Sequence, residues 1–211
     1  MSAPEVATFI GDVVGSRRSG DRQSVHDALL AALADAAGRD GVVDPGRVTV
    51  GDEFQGSFTT LGAALAATLH LRLALLPAVD VRIGLGWGEV STLDDDTRDG
   101  PGWWAAREAI DWVKTAQTKG ATAHVRTAYR GEGGPDPHAV TAALLTRDHL
   151  VGGMDDRARR LLRGLLTGRT QRDLAEEEGI SASAVSQRVR SEGIGLILLV
   201  EEALAAVGAD R

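Results

Sequence analysis

Short runs of strand-type residues alternate with helix-period segments through the first 130 residues, and this order restricts the fold more than any other feature. VATFIGDVV reads as a buried strand. From Ser24 to Ala37, apolar Val25, Leu29, Ala32, Leu33 and Ala36 recur at helical spacing. RVTVGDEFQGSF reads as two short strands folded at Gly51-Asp52, because Gly-Asp supplies turn chemistry between β-rich flanks. Leu61 to Leu76 follows as a helix stopped by Pro77. VDVRIGLGWGEV is then a strand, Trp103 to Thr115 a helix and ATAHVRTAY a strand. The order β-α-β-β-α-β-α-β implies an α+β sandwich, a sheet with helices on one side. DDDTRDGPG and RGEGGPDPH interrupt the chain, and from Asp155 onward the pattern is entirely helical. The expected division is a first domain over 1–150 and a helical one over 155–208.

A chain of 211 residues, 43% of them hydrophobic, has room for a substantial core. The lack of cysteine excludes disulfides, thiolate catalysis and sulfur-ligated metals, and the five histidines do not fall at ligand spacing. No apolar run is long enough to span a bilayer and MSAPEVATF lacks a secretory pattern, so the expectation is a cytoplasmic protein with no membrane partner. A net charge of −7 argues against a chain that coats nucleic acid along its length. Residues 157–190 differ, with eight arginines against four acids.

Asp12 sits in the middle of an apolar strand, where a carboxylate is expensive to desolvate unless cations or donors compensate it. Asp52 lies at the expected hairpin tip. If the two strands are neighbours, both carboxylates converge on one sheet edge, an oxygen-only set suited to Mg²⁺. The turn that follows, Val13, Val14, Gly15, Ser16 and Arg17, offers backbone N–H groups to phosphate. The residues alone leave open the alternative that Asp12 caps a turn and Asp52 is an ordinary hairpin residue.

FIGDVVGSR, VGDEFQGSF and VRIGLGWGEV together resemble, in order and separation, three motifs of class III nucleotide cyclases, over roughly residues 5 to 130. The resemblance implies a ferredoxin-like palm sandwich in which Asp12 and Asp52 hold Mg²⁺ or Mn²⁺ with a bound purine nucleotide. DGPGWWAAREAI is similar to the family's helix carrying a catalytic Asn and Arg; Arg107 matches the Arg, but Trp103 stands in the Asn position. The position that selects the purine falls at Val48, which has no polar atom for a base edge. The metal and phosphate half of the family's machinery is therefore present and the catalytic half damaged, so no catalytic residue is assigned and turnover is not expected. Trp103 also fits an apolar helical stripe with Ala106, Ile110 and Val113. Trp87 is the better aromatic candidate for a base, unless it simply packs. Taken whole, the chain is similar to bacterial SatD-type proteins.

TQRDLAEEEGISASAVSQRVR, residues 170–190, has the caps, turn glycine and buried spacing of a helix-turn-helix and resembles the widespread bacterial motif nearly letter for letter. The second helix would present Ser181, Ser183, Ala184, Ser186, Gln187, Arg188 and Arg190 to the major groove of double-stranded DNA. Arg157, Arg160, Arg163 and Arg172 would neutralise phosphates. Ile194 to Val207, apolar on more than one side, is expected to pack on the first domain or on a partner subunit. The resulting expectation is a homodimeric transcription regulator whose degenerate cyclase-like domain senses a purine nucleotide; the alternatives are an active purine nucleotide cyclase with a regulatory helical tail, or a helix-turn-helix that packs without touching DNA.

Overall fold

A computed structural model of the chain describes residues 4–16, 21–92 and 98–208. The elements run β1 (Glu5–Val13), α1 (Arg22–Ala37), β2 (Val42–Val48), β3 (Phe54–Phe58), α2 (Leu61–Leu75), β4 (Val81–Glu89), β5 (Ser91–Thr92), β6 (Arg98–Asp99) and α3 (Pro101–Ala116). After them come β7 (Thr127–Gly131), α4 (Pro137–Gly153), α5 (Asp156–Leu166), α6 (Gln171–Glu178), α7 (Ala182–Ser191) and α8 (Ile194–Ala205). The fold is mixed α+β.

β1 takes the centre of a five-stranded sheet of order β2-β3-β1-β4-β7, antiparallel to β3 and β4, with β7 parallel to β4. A strand covered on both faces has to be apolar at nearly every position, which is why VATFIGDVV reads as one run. Ala7, Phe9 and Val13 point to α1 and α2, together with Val81, Ile83 and Leu85 of β4. Ile10, one residue out of phase, meets Trp103, Ala106 and Ile110 of α3. The expectation of helices on one side is therefore corrected: α3 lies on the face opposite α1 and α2. Glycine is the cause. A Cβ at Gly84 would stand 2.3 Å from the Ala106 carbonyl oxygen, and one at Gly86 2.1 Å from that of Gly102, so the alternate glycines of β4 let α3 lie directly on the sheet.

The paired registers Phe9↔Gly56 and Gly11↔Phe54 put each ring over the neighbouring strand's glycine. The strand expected over 121–129 is shortened. Residues 120–122 form a 3₁₀ turn, with Thr122 Oγ1 donating to the Ala116 carbonyl at 2.6 Å, and pairing with β4 begins only at Thr127. α4 was not anticipated, although Asp136 caps it and Pro137 opens it.

α4 carries the deepest charges. Arg72 of α2 donates to Asp148 Oδ1 at 2.6 Å, while Asp148 Oδ2 accepts from the backbone N–H groups of Arg126 and Thr127 at 2.7 and 2.6 Å. Arg147 pairs with Glu201 of α8 at 2.9 Å. The helical region does not have a core to itself: Leu69 and Leu73 of α2 pack with Leu161, Leu174, Val185 and Ile197. α8 returns to the sheet, where Leu204 joins the main core and the Gly62 N–H donates to the Val207 carbonyl at 3.2 Å.

Replacing Asp148 by Ala leaves Arg72 buried without its counter-charge, and urea unfolding should show a loss of about 3–5 kcal/mol. Burial, helped by the nearby Arg39 charge, lowers the His70 pKa from 6.5 to about 4. The unfolded chain then binds a proton that the folded one refuses, so stability falls as pH drops from 6.5 to about 4. His70→Gln should flatten that part of a pH–stability profile.

Candidate functional site

The carboxylate in the central strand is compensated by two cations. Asp12 is directly opposite Arg82 in the antiparallel register, and the Arg82 Nε donates to Asp12 Oδ1 at 2.6 Å. Lys114, reaching from α3, stands 3.2 Å from Asp12 Oδ2. With both oxygens engaged, Asp12 is only 8% exposed. Beside it, Arg107 makes a two-pronged pair with Glu53 at 2.6 and 2.7 Å, which raises the Arg107 pKa further above its ordinary value. Arg107 thus reaches the neighbourhood expected of it, already bound to a carboxylate.

Asp52 belongs to the other side of the edge. The β2–β3 connection closes through the Glu53 N–H donating to the Val50 carbonyl at 3.1 Å, with Gly51 in the left-handed region at φ +67°. Asp52 there lines a cavity of about 290 Å³ with Ser16, Arg22 and His26 over an apolar floor of Val13, Val25 and Leu29. Arg22 and His26, one turn apart on α1, escaped the sequence reading; their i, i+4 spacing beside Val25 and Leu29 was the available signal. Gly15 takes φ +72°, while the Val14 N–H is committed to the Asp80 carbonyl at 2.8 Å and does not join an anion cradle. Arg17 lies outside the described residues. Val48 is half-buried opposite Phe54.

These residues do not fit a metal held between Asp12 and Asp52. Asp12 faces α3 and has both oxygens taken by Arg82 and Lys114, whereas Asp52 lines a cavity on the α1 side. Trp103 is 6% exposed and packs with Ile10, Ala106 and Ile110, which realises the stripe. Trp87 is near the far end of β4, five residues past Arg82 or roughly 16 Å along the strand, too distant to stack a base at the Asp12 edge.

The α6–α7 unit follows its capping signals. Thr170 and Asp173 form a capping box, Gly179 ends α6 at φ +64°, and Ser181 Oγ accepts from the Ala184 N–H at 3.1 Å to start α7. Much of the arginine excess is spent internally. Arg157 and Arg160 both bind Glu178, Arg169 binds Glu177, and Arg188 turns back to Asp155, the cap of α5, at 3.0 Å and to Glu192 at 2.9 Å. Ser181, Ser183, Gln187 and Arg190 are exposed, with Ala184 and Ser186 half-buried beside them. Arg163, Arg172 and Arg190 form no ion pair among the described residues; Arg190 donates to Ser186 Oγ at 2.7 Å.

The family pattern of SatD matches residues 6–206. The chain belongs to the SatD family. No curated protein matches it. Among solved structures this SatD-family chain is similar to the guanylyl cyclase domain of the RhoGC fusion protein from the aquatic fungus Blastocladiella emersonii, at 19% identity and a TM-score of 0.43 over 52% of this chain and 75% of that one. It is also similar to a bacterial light-regulated adenylyl cyclase, at 17% identity and a TM-score of 0.45 over 60% of this chain and 76% of that one. A second bacterial light-regulated adenylyl cyclase structure gives 17% and 0.46 over 70% of this chain and 44% of that one. Likenesses this loose carry nothing about chemistry.

Arg82 is the shorter and more buried partner of Asp12, so its removal should cost more than removal of Lys114. Denaturant titration should show Arg82→Ala losing about 3 kcal/mol and Lys114→Ala about 1 kcal/mol.

Proposed function

We propose that this SatD-family chain is a DNA-binding transcription regulator in which α7 reads the major groove and the sheet edge around Asp12 and Asp52 senses a purine nucleotide. The observation that carries the reading is the outer face of α7. Ser183, Gln187 and Arg190 stand open on a helix with no acidic residue, and Arg172 at the start of α6 offers a second unpaired guanidinium. Arg188 holds α7 to the cap of α5 and so positions the reading helix. With so few free cations one copy would bind weakly, which favours a homodimer on an approximate inverted repeat.

The nucleotide half of the proposal rests on the cavity beside the hairpin tip. Its volume takes one end of a nucleotide, with Arg22, His26 and Ser16 as polar partners and Val13, Val25 and Leu29 as an apolar floor. Turnover is no part of the proposal, because Trp103 is locked in the core and Arg107 is clamped by Glu53.

Mobility shifts with a genomic fragment library, run with and without ATP, GTP and their cyclic forms, test both halves. Arg190→Ala and Arg172→Ala should each weaken binding and lower the salt slope by about 1. Gln187→Ala should change sequence preference, while Arg188→Ala should lower the melting temperature as well. Asp52→Ala and Arg22→Ala should abolish the nucleotide effect and leave DNA affinity in place. A chain that retards no fragment at low salt would refute the DNA reading.

A further inference from the structure

Three of the chain's four tryptophans line one cleft, in a sequence that is only 4% aromatic. The cleft, about 950 Å³, lies between α3 and α4 at the end of the sheet away from Asp12. Trp104, Glu108 and Trp112, four residues apart, form the outer stripe of α3, while Trp87, Arg130 and Glu132 come from the ends of β4 and β7. The inner stripe of α3 is spent on the sheet, and in the outer one Trp112 packs in part against the cluster of Ala109, Val113 and Val125, which leaves the exposed Trp104 ring without a packing role.

The walls are built. Trp104 is 62% exposed, yet its indole N–H donates to Asp99 Oδ1 at 2.7 Å, which holds the ring as a fixed platform. Arg130 lies 5.3 Å from the centre of the Trp112 ring, stands 3.4 Å from Glu108 and donates to the Tyr129 carbonyl at 2.8 Å. Trp87 is 7% exposed and packs in the main core while lining the cleft, and its buried indole N–H, like that of Trp103, meets no acceptor among the described residues.

Charge narrows the ligand. Glu108 and Glu132 are both on the walls, and Arg130 is already shared between Glu108, a carbonyl and an indole face. A phosphate would find two carboxylates and no uncommitted guanidinium. We infer that the cleft binds a planar, fused nitrogen heterocycle that carries no phosphate, of purine-nucleoside or isoalloxazine type, stacked on Trp104 with a ring acceptor toward Trp87. This site is distinct from the nucleotide cavity at the hairpin tip and extends the proposed function with a second small-molecule input.

Calorimetry and tryptophan quenching of the full chain with adenosine, guanosine and riboflavin, and with their monophosphates, test the inference. At least one unphosphorylated probe should saturate below about millimolar concentration, and its monophosphate should bind about tenfold more weakly. Trp104→Ala should abolish binding without changing the melting temperature, because the ring is on the surface. Trp87→Phe, which removes the N–H and keeps a ring, should weaken it about tenfold. Absence of saturable binding for all three probes would overturn the inference. So would equal affinity for the monophosphate, unchanged affinity in Trp104→Ala, or loss of binding in Asp52→Ala, which would move the ligand to the other end of the sheet.

Discussion

Asp148 has no exposure to solvent, and its two oxygens receive the Arg72 guanidinium, two backbone N–H groups at the start of β7 and the Thr127 hydroxyl. Desolvating such a pair costs several kcal/mol per ion, so its gain is in where things go more than in net stability. One side chain on α4 thereby fixes the position of α2 and the first residue of the edge strand. The next residue back, Arg147, binds Glu201 and fixes α8. Beyond these two pairs, the Gly62 N–H to Val207 carbonyl bond adds a polar tie between α2 and the chain after α8, while the remaining contact is between apolar surfaces that specify position less sharply.

The carboxylate in β1 follows the same logic at the same end of the strands, on the face toward α3. An acid in a covered strand has to be neutralised, and the antiparallel register supplies Arg82 directly across from it. Lys114 completes the neutralisation from α3. A group so well satisfied is a poor ligand for an incoming cation, because binding would trade two existing partners for one. The neighbouring residues of the hairpin tip divide their labour: Glu53 turns to Arg107 on the α3 side, and Asp52 turns to the cavity under α1.

How much of this was legible depended on the range of the interaction responsible. Local rules sufficed for the hairpin at Gly51-Asp52, for the caps at Thr170, Gly179 and Ser181, and for the inward stripe of Trp103, Ala106, Ile110 and Val113. What escaped was set across the fold. Which face α3 covers depends on the parity of Gly84 and Gly86 relative to Ile83 and Leu85, a pattern visible in VRIGLGWGEV and left unread. The partners of Asp12 come from residues 82 and 114, and no spacing rule connects them. The arginine excess over 157–190 overstated the free charge because Glu178 and Asp155 become partners only when α5, α6 and α7 close on one another.

The two halves are mechanically joined, which under the proposed function limits how a ligand beside Asp52 could act on α7. α2 puts Leu61 and Leu65 into the main core and Leu69 and Leu73 into the helical one, and α8 divides Leu204 and Ile197 in the same way. A hinge near residues 150–155 would have to tear both shared helices from one core or the other. The softer route runs through α1. Its first two turns line the cavity beside Asp52 through Arg22 and His26, and its later residues Leu29, Leu33 and Ala36 pack in the same core as α2. α2 packs against both α1 and α5, and His70 on α2 is held neutral by burial and by the charges of Arg39 beyond the end of α1 and Arg163 on α5. A ligand that shifts α1 by a fraction of an ångström loads that junction, and a coupling of only about 1–3 kcal/mol is enough for a switch. Contiguity of this kind makes a route physically available; in the proposed function the coupling itself would have to come from two arrangements of α2 that a nucleotide and DNA favour unequally.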